Sequence, residues 1–298
     1  MDTLSPYRPD LLAGQRILVT GGGTGLGREI SAGFAAHGAH VFICGRREQV
    51  LAEAAAAISA ETGGKVDCRV VNVRDADAMD AMIADIWHTG PLTGLVNNAA
   101  ANFIAPTETL SARGYEAIRS TVMDGSFFAT LSCGKRWIAE GLPGAVLSNL
   151  VTWVWTGSAY VVPSAMAKTA IQAMTQSLAV EWGPKNIRLN AIAPGPFPTP
   201  NAWEKLSPIP GASVSATRFE EVPLRRYGEM RELRNLTILL MSDACPYING
   251  ETIAIDGGQH LAAPSTFADL ANMTEQQWAD VREALRTSAQ KEREGRGV

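Results

Sequence analysis

The chain has 298 residues, 46% of them hydrophobic and 19% charged, with a formal net charge of −4 at pH 7. That length holds one large α/β domain or two small ones, and slight acidity without a basic run argues against nucleic acid as the main partner. Four scattered cysteines (Cys44, Cys68, Cys133, Cys245) with no CxxC pair, and four histidines (His37, His40, His88, His260) without ligand spacing, exclude a disulfide framework and a metal centre. No apolar run is long enough to span a membrane. The opening MDTLSPYRPDLLAG, with its acids and prolines, does not read as a signal peptide, so a cytoplasmic setting is expected.

The first strand is expected at residues 16–20 (RILVT) and the first helix at 27–37. Between them runs TGGGTGLG, residues 20–27. Here Gly21 allows a tight turn, Gly25 lets backbone approach a pyrophosphate and Gly27 lets the helix pack closely. The helix N-terminus offers N–H groups and the positive end of its dipole to the phosphates. Alone, such glycines make an ordinary turn. A strand before and a helix after favour a dinucleotide fingerprint.

The second strand, 41–44 (VFIC), runs into CGRRE. An acid at this turn would hold a ribose 2′-hydroxyl; Arg46 and Arg47 instead suit a 2′-phosphate, so NADPH is the expected cofactor. The plainer reading is a solvated pair at a helix start. A helix follows at 49–62, then a strand at 68–73 whose Asn72 would face the adenine. Beyond lie a helix at 75–88, strands at 94–98 and 145–151, a helix at 165–182, and strands at 187–192 and 252–258. This alternation implies an α/β fold: one doubly wound parallel sheet of about seven strands with helices on both faces. The chain reads as a single domain over 1–298. Residues 194–222, rich in proline, glycine and serine, form a substrate loop, and 259–298 form a C-terminal extension with a helix at 274–290.

Several ordered motifs then carry a resemblance. TGxxxGxG at 20–27, NNAA at 97–100, Lys168, PGPFPT at 194–199 and INGETIAIDGG near the end make the chain similar to the short-chain dehydrogenase/reductases over nearly its whole length. That family implies a single-domain, seven-stranded Rossmann-type sheet assembled as a homo-oligomer, a tetramer being favoured. It also assigns Gly23, Thr24, Leu26, Val73, Asn98, Ala99, Pro194, Gly195 and Pro196 to the cofactor. Its lysine matches Lys168, which would bind the nicotinamide ribose. Its catalytic tyrosine slot, however, holds Ser164 in PSAMAK, its serine slot falls at or beside Val151, and its asparagine becomes Asp124. A lysine normally lowers the tyrosine pKa so that the phenol can protonate an alkoxide. Serine is a far weaker acid, so ordinary ketone reduction is not expected.

The stretches GGGTGLG, NNAAANFIAPTETLS, TGSAYVVPSAMAK, AVEWGPKNIRLNAIAPGP and TEQQWADVREALR resemble one branch more narrowly, the NADPH-dependent 2,4-dienoyl-CoA reductases, which also carry serine in the tyrosine slot. The resemblance implies an acyl-CoA thioester substrate from unsaturated fatty acid breakdown. Hydride then makes an extended enolate, and hydrogen-bond donors stabilise its thioester oxygen without giving up a proton. Asn102 matches the branch's asparagine donor. Trp153 stands where its second donor is a tyrosine, and is either an indole N–H donor or an apolar wall with Trp155. Asp124 either orients a proton-delivering water or caps a helix kink, while Tyr160 reads as lid or core and Asp256 as structural. Arg46, Arg74, Phe103 and Ser111 would contact the acyl-CoA. Two other readings stay open: reduction of another activated alkene or carbonyl, and a catalytically silent NADPH-binding protein.

Overall fold

The computed structural model describes residues 5–102, 104–199, 219–262, 274–277 and 279. Seven apolar runs become strands: β1 (Arg16–Thr20), β2 (His40–Gly45), β3 (Val66–Val70), β4 (Gly94–Asn97), β5 (Gly144–Asn149), β6 (Ile187–Pro194) and β7 (Thr252–Ile255). They form one sheet in the order β3-β2-β1-β4-β5-β6-β7, every neighbouring pair parallel. The order reverses between β1 and β4, which opens a crevice at the carboxyl ends of these strands.

The inner strands are apolar on both faces because helices cover both, whereas β3 at the sheet edge carries Asp67 and Arg69 and is only partly buried. Alternate residues feed opposite cores. Ile17, Val19, Val41 and Ile43 pack with Ile30 and Phe34 of α1 (Gly25–Ala36), Leu51 and Ile58 of α2 (Glu48–Thr62), and Leu233 and Ile238 of a helix at Met230–Met241. On the other face, Leu18, Phe42, Leu95, Val146 and Leu189 meet three more helices. These are α3 (Ala76–His88) through Ile83, a helix at Gly125–Glu140 through Trp137, and a helix at Val162–Trp182 through Trp182. Each fully buried aliphatic or aromatic side chain here contributes about 1.5–3 kcal/mol.

The third strand lies earlier than the 68–73 expected from its apolar run. Its last ladder partner is Gly45, opposite Val70, after which β2 turns away into α2, so only the Val71 N–H donates to the Gly45 carbonyl, at 2.8 Å. Asn72 and Val73 therefore sit just beyond the strand. Past β4, α4 (Ala112–Arg119) runs through a π turn at Ser120–Asp124 into α5 (Gly125–Glu140). Further helices are α6 (Trp153–Thr156), α7 (Val162–Trp182), α8 (Met230–Met241) and a short one at Gln259–Ala262.

The chain divides into a unit Met1–His260 and a second, Leu261–Val298. In the second, residues 275–277 and 279 are helical, and the rest of the helix expected at 274–290 lies outside the described residues. So do residues 200–218 of the expected substrate loop. Among the described residues no helix is long and apolar enough to cross a membrane, and no group of three or more potential ligands could hold a metal ion.

Candidate active site

The glycine loop is built onto β1. Thr20 ends the strand, and its hydroxyl donates to the Val96 carbonyl at 3.2 Å while accepting from the N–H groups of Asn98 and Ala99, each at 3.0 Å. The Gly21 N–H donates to the Cys44 carbonyl at 2.8 Å. Gly21 and Gly25 adopt φ of +66° and +55°, a region that favours glycine. A Cβ on Gly25 would meet nothing within 4 Å, whereas one on Gly27 would lie 2.3 Å from Asn98 Nδ2 and 2.5 Å from the Gly21 carbonyl oxygen. So Gly27 seats the helix on the loop and Gly25 leaves the approach open. Thr24 precedes α1 in extended conformation without a side-chain cap, and no acid stands in the first turn. These N–H groups fit a pyrophosphate. Gly23 packs toward Leu51 and Leu26 onto the same core.

Arg46 and Arg47 follow β2 with exposed side chains. Asn72 is exposed and accepts from the Arg74 N–H at 3.3 Å, and Val73 is buried against Gly125. Arg74 is already engaged: Nε donates to the Thr121 hydroxyl and Nη2 to the Ala117 carbonyl, both at 2.8 Å, bracing α4 and the π turn. At the end of β6, beyond Pro194, the Gly195 N–H donates to the Ile255 carbonyl at 3.0 Å, and the Pro196 carbonyl accepts from Gly228.

Ser164 and Lys168 lie one turn apart on α7 and are 5% and 7% exposed. The helix start is set by Pro163, whose missing N–H costs nothing in a first turn. The Lys168 ammonium donates to the Asn149 carbonyl at the end of β5, and burial lowers its pKa from 10.5 to about 8. Asn149 Nδ2 donates to Asn98 Oδ1 at 2.9 Å, and Asn98 Nδ2 donates to the carbonyls of Thr20 and Gly21 at 3.0 and 3.2 Å. Asn149 therefore links the lysine, held by its main-chain carbonyl, to the glycine loop, reached through its side-chain amide and Asn98. Asn149 Oδ1 is buried with no protein partner among the described residues, a polar group aimed where water or ligand can satisfy it.

The remaining candidates are more dispersed. Asn102 is exposed after β4, and Trp153 opens α6 half-buried. Asp124 ends the π turn and accepts from Arg119 Nη1 at 2.7 Å, so it is held within its own helix. Ser111 caps α4, accepting from the Gly114 N–H at 3.1 Å. Phe103 lies outside the described residues. Tyr160 is 60% exposed at φ +65°, and its carbonyl accepts from the Ala105 N–H at 2.9 Å, tying the segment before α7 to the one after β4.

Two features escape a reading by motif. Asn149 stands in the middle of AVLSNLV, and its signal is a polar side chain at the carboxyl end of a buried strand. Asp256 and His260 form a pair: Asp256 Oδ2 accepts from the His260 N–H at 2.8 Å and lies 2.7 Å from Nδ1. The D-x-x-x-H spacing hints at it, but the intervening Gly257 and Gly258 must turn the chain at φ of +64° and +85°.

A parallel sheet in this order, with a glycine loop feeding α1 and a buried lysine wired to that loop, defines a nicotinamide-dependent oxidoreductase of the Rossmann type. A family model described as Enoyl-(Acyl carrier protein) reductase matches residues 21–260, and the chain belongs to the short-chain dehydrogenase/reductase family. It is 38% identical over 247 residues to a Bacillus subtilis protein named a probable 2,4-dienoyl-CoA reductase of the (2E)-enoyl-CoA-producing type, covering 82% of this chain and 96% of the relative. A Caenorhabditis elegans relative named a probable 2,4-dienoyl-CoA reductase of the (3E)-enoyl-CoA-producing type is 36% identical, with 96% and 94% covered. The crystal structure of a short chain dehydrogenase from Bacillus anthracis superposes with a TM-score of 0.73 at 37% identity, covering 83% of this chain and 96% of that one.

Proposed function

We propose that this protein reduces 2,4-dienoyl-CoA thioesters with NADPH through an enolate, in the degradation of unsaturated fatty acids. The observation that carries the reading is the buried Lys168 with Ser164, not a phenol, one turn before it. Such a site is poorly equipped to protonate an alkoxide and well suited to chemistry that needs no strong local acid at that position. The relatives named as dienoyl-CoA reductases support the substrate class, and Arg46 and Arg47, exposed at the end of β2, support a 2′-phosphate and hence NADPH.

NADPH, when bound, supplies the hydride. Below about pH 8 Lys168 is an ammonium, held by the Asn149 carbonyl with two further N–H groups for the ribose hydroxyls. Ser164 shares that face of α7 and orients the same edge. As the diene accepts hydride at its far end, the electron pair moves onto the thioester oxygen, where the Asn102 amide and the Trp153 indole N–H donate. Protonation of the enolate next to the thioester gives a 3-enoyl product, and protonation two carbons further on gives a 2-enoyl product. By the same resemblance Arg46, Arg74, Phe103 and Ser111 are assigned to the acyl-CoA, and Asp124 keeps the π turn in register through Arg119. We extend the reading to a cytoplasmic homotetramer on the family's pattern.

The test mixes purified protein with NADPH and a 2,4-dienoyl-CoA and follows absorbance loss, with a saturated ketone and a 2-enoyl-CoA in parallel. Turnover of the dienoyl-CoA alone is the expected result. NADPH binding without reduction of any thioester would sink the assignment.

A further inference from the structure

The four-residue helix α6 carries Trp153, yet it has no buried residue and no side-chain cap. A single turn of Trp, Val and Thr does not hold its own shape in water, so contacts with the rest of the fold must fix it. Val154 packs against the small core around Ile118, Leu150 and Ile171. The other anchor is Trp155, whose indole stacks on the His260 imidazole with ring centroids 4.8 Å apart and planes 30° apart. That imidazole is itself immobilised. Asp256 grips it through Nδ1 and through the His260 backbone N–H, and the carboxylate side chain is only 3% exposed, its other oxygen accepting from the Gly258 N–H at 2.9 Å. Asp256 in turn abuts the end of β6, where a Cβ on Gly195 would lie 2.6 Å from its Cβ.

We propose that Asp256, His260 and Trp155 form a positioning strut that fixes α6, and with it Trp153, relative to the cofactor segment at Pro194–Pro196. The strut spans from the last strand to the substrate side of the site. His260 acts through Trp155 and is a positioning residue, not a catalytic one. Its worth to the reaction comes from geometry: misplacing a donor by about 1 Å costs up to ~100-fold in rate. This inference rests on the dienoyl-CoA reading only for its kinetic arm.

The test labels the seven tryptophans with 5-fluorotryptophan and assigns the Trp153 and Trp155 fluorine resonances by Trp→Phe substitution. In His260→Ala both resonances should shift or broaden, while NADPH affinity stays within about twofold because the glycine loop is untouched. With a dienoyl-CoA, kcat should fall about tenfold with a smaller change in KM. His260→Phe keeps a ring to stack on Trp155 and should restore part of the loss. A Trp155 shift with Trp153 unmoved overturns the strut, and so does a fall in kcat with neither resonance moved. Should His260→Ala fail to fold, His260→Asn retains a donor toward Asp256 without the stack, and the same shifts are expected of it. Absence of dienoyl-CoA turnover in the unaltered protein would defeat the functional reading, but the fluorine spectra would still decide the strut.

Discussion

Replacing Lys168 by methionine should make the cofactor-free protein more stable at neutral pH even as it abolishes turnover. Burial lowers the lysine pKa from 10.5 to about 8. At ~1.36 kcal/mol per pH unit, that difference of about 2.5 corresponds to roughly 3 kcal/mol charged against the folded state. Methionine removes this cost but also forfeits the bond to the Asn149 carbonyl, worth about 1 kcal/mol, leaving a net gain near ~2 kcal/mol. For a chain of this size that raises Tm by about 4–8 °C. The pH dependence gives the reasoning its sharper edge. Below about pH 8 the folded and unfolded lysine are both charged, and the full cost is present. Between about 8 and 10.5 the folded lysine is neutral while the unfolded one still holds its proton, so the cost fades, and above 10.5 it is gone. Thermal or urea unfolding of Lys168→Met beside the parent should therefore show a gap at pH 7 that has largely closed by about pH 9.5. A variant no more stable than the parent at pH 7, or a gap that widens with pH, would refute the argument that Lys168 is held at the expense of stability.

Three further outcomes are expected. Gly27→Ala forces its methyl against Asn98 Nδ2 and the Gly21 carbonyl, so it should cost about 1–3 kcal/mol in urea unfolding and weaken NADPH binding at least tenfold by titration. The double variant Arg46→Ala, Arg47→Ala should raise the Kd for NADPH by about 10–100-fold while leaving NADH nearly unchanged, since only the 2′-phosphate loses its charge-assisted partners. Trp153→Phe should lower kcat for a dienoyl-CoA about 100-fold if the indole N–H donates to the thioester oxygen. A fall of less than about threefold would make Trp153 an apolar wall.

Much of this architecture was legible in the sequence because both faces of the sheet are covered, so buried strands read as continuous apolar runs. All seven strands begin and end within three residues of those runs. The third shows what such reading lacks: an apolar run continues to Val73, but pairing stops where the partner strand turns away. Glycine spacing marks the cofactor side from local pattern alone, and the arginine pair is the local feature on which the NADPH proposal rests. Asn149 and the Asp256–His260 pair carry no such mark, because their significance depends on strands brought side by side from distant parts of the chain. Arg74 illustrates the reverse case. An arginine near a cofactor turn suggests a phosphate partner, and only the fold reveals that Ala117 and Thr121 already take two of its five N–H donors.

The acceptor that holds Lys168 is a main-chain carbonyl. No substitution at residue 149 can delete it, because it belongs to the sheet and not to a side chain. Trp153, by contrast, rides on a single helical turn that has no buried residue of its own. The two halves of the site therefore face drift very unequally. On the proposed assignment, the reductant's half is held by backbone, while the substrate's half rests on side chains that single substitutions can change.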